Sequence, residues 1–368
     1  MKRSTLVDLF YFMKKVYSFL LVLLPLQWLA LYWIRKNPRW VDSFFSQNFY
    51  PYLFKVHRFF FEKLPFSFGD LLYAVILVLF IGSCIQLIKQ PKKRSVPFLF
   101  KGLAISSLIL LVFQISWGLN YYRIPLHESL NYDLRYNEDE LTITLEKLIE
   151  TTNELHQRLT SSDSVAVQIP YTKEVLLKMM EKNFSYDNEM YPVQPFVKNS
   201  LWSTLLSYMG YAGYLNPFTL ESQVNKHIPK LNYITTLAHE MAHQLGIGAE
   251  NEANFISFST TINHSDPFIQ YSGYSFAFQY CYVELYKANP EKAKELITRL
   301  NPGIIKNFRA LSAFWQKYQN PLEPYLKKGY DSYLKANGQA LGIQSYNAMV
   351  ALVIAHSKEN SYSLNKFY

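Results

Sequence analysis

The chain has 368 residues, of which 49% are hydrophobic and 17% aromatic, and it carries a formal charge of +9. This apolar content excludes a disordered or low-complexity protein, and it exceeds what a soluble core of this length needs. The basic residues do not form a patch suited to nucleic acid. They cluster beside apolar runs, where lipid headgroups are the expected partner.

Three runs in the first third have the length and composition of transmembrane helices, at 17–34, 71–88 and 103–119. One such run also suits a buried core helix or a signal peptide, but three together do not. The first also lacks a small-x-small cleavage site before Trp33-Ile34-Arg35-Lys36. Trp28, Trp33, Trp40, Tyr73, Trp117, Tyr121 and Tyr122 cluster near the run ends, where aromatic rings favour the membrane interface.

Lys2, Arg3, Lys14 and Lys15 precede the first run, and Lys89, Lys92, Lys93, Arg94 and Lys101 are expected to fill a short loop between the second and third. The positive-inside rule places both clusters in the cytoplasm, although Arg35, Lys36, Arg39, Lys55, Arg58 and Lys63 on the opposite side weaken the contrast. Residues 1–130 are therefore expected to form a multi-pass domain of the cytoplasmic membrane, with everything after Arg123 outside the cytoplasm. Phe59–Phe61 and Leu64–Asp70 read as an interfacial segment that seats the second span. Cys84 falls inside a span and Cys281 far beyond it, so no disulfide is expected.

Residues 131–368 read as a second, mostly helical domain. A helix is expected from Asn137, with Glu138, Asp139 and Glu140 at its positive end and a stripe of Leu141, Leu145, Leu148, Leu155 and Leu159. A second helix is expected over about 172–183, followed by a Tyr-, Pro- and Asn-rich loop to Ser200. Leu215–Asn225 reads either as a short strand, an edge on which an extended peptide pairs, or as an ordinary loop or small β-ribbon. Asn289-Pro290, Asn301-Pro302 and Asn320-Pro321 each predict a helix start, and 344–357 reads as a packed terminal helix.

The most informative stretch is Leu237–Phe255, which contains His239-Glu240-x-x-His243. On a helix the two histidines stand one turn apart on one face and can meet a single divalent metal, with Glu240 beside them to handle a water. Ile234, Leu237, Met241 and Leu245 recur on the opposite, core-facing side, and Gly246 ends the helix, with Gly248 loosening the turn.

This motif followed by Glu250-Asn-Glu-Ala-Asn254-Phe resembles the zincin core of gluzincin metallopeptidases. Together with the three spans, Phe66-Ser-Phe-Gly-Asp-Leu-Leu-Tyr73, Trp117-Gly-Leu-Asn-Tyr-Tyr-Arg123 and Tyr330-Asp-Ser-Tyr-Leu-Lys-Ala-Asn-Gly-Gln339 resemble an uncharacterised bacterial membrane family with that core. The spacing departs from gluzincins, because only six residues separate His243 from Glu250, and the glycine after the second histidine resembles metzincins.

The fold implied is a mainly α membrane protein with three amino-terminal transmembrane helices and an α+β, zincin-like extracytoplasmic domain. The function implied is zinc-dependent hydrolysis of a peptide or protein outside the membrane. Zinc would be held by His239, His243 and Glu250, with Glu252 as the alternative third ligand, Asn254 orienting a histidine and Glu240 as general base. His264, Tyr271 and Tyr274 are candidate oxyanion donors, against the competing reading that they pack as core. The alternative function is an inactive metal-binding sensor or scaffold, which the short cytoplasmic segments disfavour.

Overall fold

The structure, a computed structural model, describes residues 3–184 and 194–364. Lys2, the expected loop over 185–193 and the side chains of Arg3, Lys92, Lys93 and Arg94 lie outside the described residues.

The amino-terminal part begins with α1 (Arg3–Arg35), α2 (Pro38–Trp40), a π-helical stretch Val41–Phe49 and α3 (Tyr50–Phe61), followed by the long apolar helices α4 (Phe68–Lys89) and α5 (Pro91–Ser116). Three segments, Lys14–Arg35, Phe68–Lys89 and Pro97–Ser116, are long and apolar enough to cross a membrane, marking the chain as a membrane protein. The third expected run ends early. At Trp117 the backbone turns to φ −151°, and Gly118–Tyr122 tightens into a 3-10 turn. The expected basic loop also shrinks to Gln90, because Pro91 at a first helical position starts α5 at once and draws Lys101 into the helix.

The segment between α1 and α4 does more than seat a span. Phe59 and Phe60 are exposed, but Val41, Phe45, Tyr50 and Phe54 are buried with Trp117, Tyr122, Phe196 and Leu220 in a small core of their own. The root of α4 is tied to the same layer. Glu221 accepts from the helix-start amides of Phe68 (3.2 Å) and Gly69 (2.6 Å), while the buried Asp70 carboxylate accepts from Ser200, from the Leu201 amide and from Tyr214.

After α6 (Leu126–Ser129) comes the larger core. Helix α7 (Glu138–Leu159) opens with a capping box between Asn137 and Glu140 and buries Leu141, Leu145, Leu148 and Leu155. Helix α8 (Lys173–Asn183) is capped by Thr172. Then β1 (Val197–Asn199), α9 (Ser203–Met209), β2 (Gly213–Leu215) and β3 (Ser222–Val224) form a three-stranded sheet of order β1-β3-β2, with β1 parallel and β2 antiparallel to β3. Residues 215–225 thus belong to a hairpin, the small β-ribbon of the alternative reading rather than a single edge strand, and its second arm is central. β1 falls in what reads from sequence as loop.

The sheet lies against α10 (Lys230–Gln244), which leads through a tight turn to α11 (Glu250–Ile262). The sequence reading missed α12 (Pro267–Ala288), which packs along α7; Asp266 caps it through the Phe268 and Ile269 amides, the same device as the Asn-Pro starts. Helices α13 (Pro290–Ile297) and α14 (Pro302–Tyr318) begin as expected, but α15 (Glu323–Ala336) starts two residues beyond Pro321, where the Asn320 side chain accepts from the Leu322 and Glu323 amides. A 3-10 stretch, Gly342–Ala348, leads into α16 (Met349–Leu364), which buries Met349, Val350, Leu352, Val353 and Ile354 against α11 and α12.

Candidate metal centre

Helix α10 buries both of its faces. Ile234, Leu237 and Met241 enter the core, while His239, Glu240 and His243 face a cavity of about 780 Å³ and are 8%, 3% and 7% exposed. Gly246 adopts φ +81°, which an L side chain resists, and this reversal lets α11 start at Glu250 pointing back at the histidines.

The Glu250 carboxylate reaches both rings, with Oε2 lying 3.2 Å from His239 Nε2 and 3.5 Å from His243 Nε2. Each histidine is oriented through its other nitrogen. His239 Nδ1 donates to Asn254 Oδ1 (2.8 Å), whose amide is itself fixed because Nδ2 donates to Tyr280 and to the Tyr346 carbonyl; His243 Nδ1 donates to the Ile247 carbonyl (2.7 Å). Each Nε2 is therefore turned toward Glu250, where a cation that displaces any proton there would find it.

These groups fit a divalent metal. The Oε2 atoms of Glu240 and Glu250 are buried, and among the described residues no hydrogen bond reaches either. The Glu250 carboxylate draws positive charge into this gap, either a proton on His243 or a metal cation in its place. A tetrahedron with metal–ligand arms near 2.05 Å has edges of about 3.3 Å, and the two observed separations, 3.2 and 3.5 Å, lie on either side of that length. His239, His243 and Glu250 are the group that could hold an ion among the described residues.

Without metal the cluster balances its own charge. Burial would raise Glu250, but the two histidines outweigh it and hold the carboxylate well below its usual range; burial would lower His243, but Glu250 lifts it to about 9. Burial also lifts Glu240 to about 7.

Tyrosines complete the centre, though not those expected. Tyr330 donates to Glu250 Oε1 (2.7 Å), and Tyr346 stacks on the His239 ring at 6.1 Å and 10°. Burial, followed by the Glu250 charge, holds both phenols well above their usual range, so both remain O–H donors. The three expected donors lie elsewhere: His264 accepts from the Asp266 amide, Tyr271 donates to Asn307, and Tyr274 packs on Phe258. Sequence reasoning also missed Gly213 on β2, where a Cβ would lie 2.6 Å from Glu240 Oε1 and 2.7 Å from the Gln223 carbonyl. Only glycine lets this strand approach the acid so closely.

Glu252 points away from the histidines and accepts from the Leu126 amide (2.7 Å). Burial raises its carboxyl from 4.5 to about 7, partly offset by that amide and by Arg123. Because the folded value exceeds the unfolded one, ionisation costs stability as pH rises through this interval. Glu252→Gln keeps the acceptor without the charge. It is expected to raise the thermal unfolding midpoint more at pH 8 than at pH 5, and equal shifts at the two pH values would refute this account.

The turn between the metal helices is clamped by distant segments. The last carbonyls of α10 lack the partners of a helix interior: that of His243 accepts from the Gly246 amide (3.0 Å) and from Trp117 Nε1 (3.0 Å), and that of Gln244 from the Tyr50 hydroxyl (2.9 Å). Gln339 donates to the Gly248 carbonyl (2.9 Å) and accepts from the Glu250 amide (3.3 Å).

Fold and site together define a mainly helical membrane protein with a buried His-His-Glu cluster able to bind metal. The chain belongs to the family described as "Protein of unknown function (DUF3810)", whose family model matches residues 45–354, a range that includes the cluster, Tyr50, Trp117 and Gln339. No curated protein and no solved structure matches the chain.

Proposed function

We propose that this protein is a membrane-anchored zinc metallopeptidase of zincin type, hydrolysing peptide bonds outside the cytoplasmic membrane. The observation that carries this reading is Glu240, a buried acid with an unpaired oxygen, raised to about 7 and sharing one cavity with the His239, His243 and Glu250 cluster.

Bound by the three ligands, zinc supplies Lewis acidity that polarises a carbonyl and acidifies water. The protein's own residues do the rest. Glu240 takes the proton from the attacking water and returns it to the leaving amine, a role open to a buried carboxylate with an unpaired oxygen beside the cluster. Asn254 and the Ile247 carbonyl hold the histidine tautomers. Tyr211 and Tyr346 face the cavity as protonated phenols, donors for the negative charge that builds on the carbonyl oxygen.

Strand β2 supports a peptide as substrate. Asn225 N bonds to the Ala212 carbonyl and Asn216 N to the Glu221 carbonyl, so by the two-residue alternation of antiparallel pairs Gly213 and Leu215 turn their backbone groups away from β3. Both residues line the cavity, where an extended chain would pair with them.

The test is metal analysis of the purified full chain together with a broad peptide-library assay. Near-stoichiometric zinc and cleavage of some library members are expected; a metal-free, inert protein would exclude the reading. The topology has its own test. A reporter fused after Tyr368 is expected to be active only outside the cytoplasm, and cytoplasmic activity would move the peptidase to the other side.

A further inference from the structure

The cavity is walled in part by a membrane span. Tyr73, Ala74 and Leu77, on one face of α4, line the same cavity as His239 and Glu240. At 1.5 Å per residue, Leu77 lies roughly 13 Å along the helix from Phe68, well inside the segment apolar enough to cross the bilayer. Leu77 is itself 54% exposed, so the wall continues outward into the surface that lipid would cover.

A second feature points the same way. Trp202, at the start of α9, and Leu205 within it both line the cavity and remain exposed, with exposed Leu201 and Tyr208 beside them and exposed Leu322 and Tyr325 on the adjoining α15 side. Exposed apolar surface of this extent is costly in water and suits the membrane interface, and α9 is fixed to the root of the span because Trp202 Nε1 donates to the Asp70 carbonyl (3.1 Å). The rim and the span form one continuous surface.

We infer that the site takes a polypeptide that is itself anchored in the bilayer, approaching laterally along the Tyr73, Ala74 and Leu77 face of α4 so that the bond next to the anchor reaches Glu240. This inference rests on the peptidase reading and narrows its substrate class. A peptide is favoured over a lipid as occupant because the outward-facing backbone of Gly213 and Leu215 offers hydrogen bonds that an acyl chain cannot use.

The experiment uses the full-length chain reconstituted in phosphatidylethanolamine–phosphatidylglycerol vesicles, in a Cys84→Ser background. A benzophenone is attached to Leu77→Cys or, as a control, to Leu79→Cys, which is exposed on the other side of the span. The probes are a mixed-sequence peptide library with an N-terminal palmitoyl group, the same library without it, and a labelled phospholipid. The anchored library is expected to cross-link from position 77 about tenfold more than from 79, and at least about tenfold more than the free library, which lies below the roughly hundredfold that tethering can give.

Equal yields at 77 and 79 would overturn the proposal, as would equal yields of free and anchored peptide. Preferential capture of the phospholipid at 77 would overturn it in favour of a lipid substrate. Selective capture of the anchored peptide without cleavage by the wild-type protein would support the lateral approach while removing the peptidase reading.

Discussion

Glu250→Ala is expected to strip the protein of most of its metal, while Glu252→Ala, two residues along the same helix, is expected to keep it. The two acids are equally buried in practice, at 2% and 6% exposure, so burial does not separate them. Direction does: Glu250 Oε2 stands 3.2 Å from His239 Nε2, whereas Glu252 bonds to the Leu126 amide. Outer partners of a ligand are worth ten- to hundredfold in affinity, so loss of a direct ligand should weaken binding by at least about a hundredfold. Zinc titration of the two purified variants checks this. Retention of metal by the Glu250 variant and loss by the Glu252 variant would reverse the assignment.

Glu240→Gln is expected to leave the metal in place and lower hydrolysis by about a hundredfold or more, the scale for a general base. Glutamine has the same size, so it fits the narrow space left by Gly213 and leaves His239 and His243 undisturbed. It cannot accept the proton. The wild-type rate should rise with pH as the Glu240 carboxyl, about 7 without metal, ionises; a bound cation favours the carboxylate and moves that limb downward. The limb should vanish in the variant, and full activity in a zinc-loaded Glu240→Gln protein would end the hydrolytic reading.

Much of this arrangement is legible in the sequence because it depends on local rules. The leucine stripe of α7, the Asn137 and Thr172 caps and the one-turn spacing of His239 and His243 each follow from helix geometry over a few residues. The direction of Glu250 follows from the glycine that reverses the chain before it.

What the sequence conceals is set by contacts between distant segments. Tyr330 and Tyr346 lie about a hundred residues beyond the histidines, and nothing local distinguishes them among 29 tyrosines. The early end of α5 at Ser116 is equally opaque, because Trp117 leaves an otherwise apolar run in order to bond the His243 carbonyl. The edge strand is displaced for a similar reason. β1 arrives from outside the hairpin and takes the free side of β3, so the open edge beside Glu240 passes to β2.

The capping of the α10 carbonyls by Trp117 and Tyr50 has a consequence for biogenesis. Both donors come from the part of the chain made first, next to segments that must insert into the bilayer before the HExxH helix has even been synthesised. A copy whose spans fail to insert would complete that helix without these two side-chain donors, its turn held only by the backbone and by Gln339. Such a copy would hold its His-His-Glu cluster more loosely, so on the proposed reading the capacity to bind metal would follow membrane insertion.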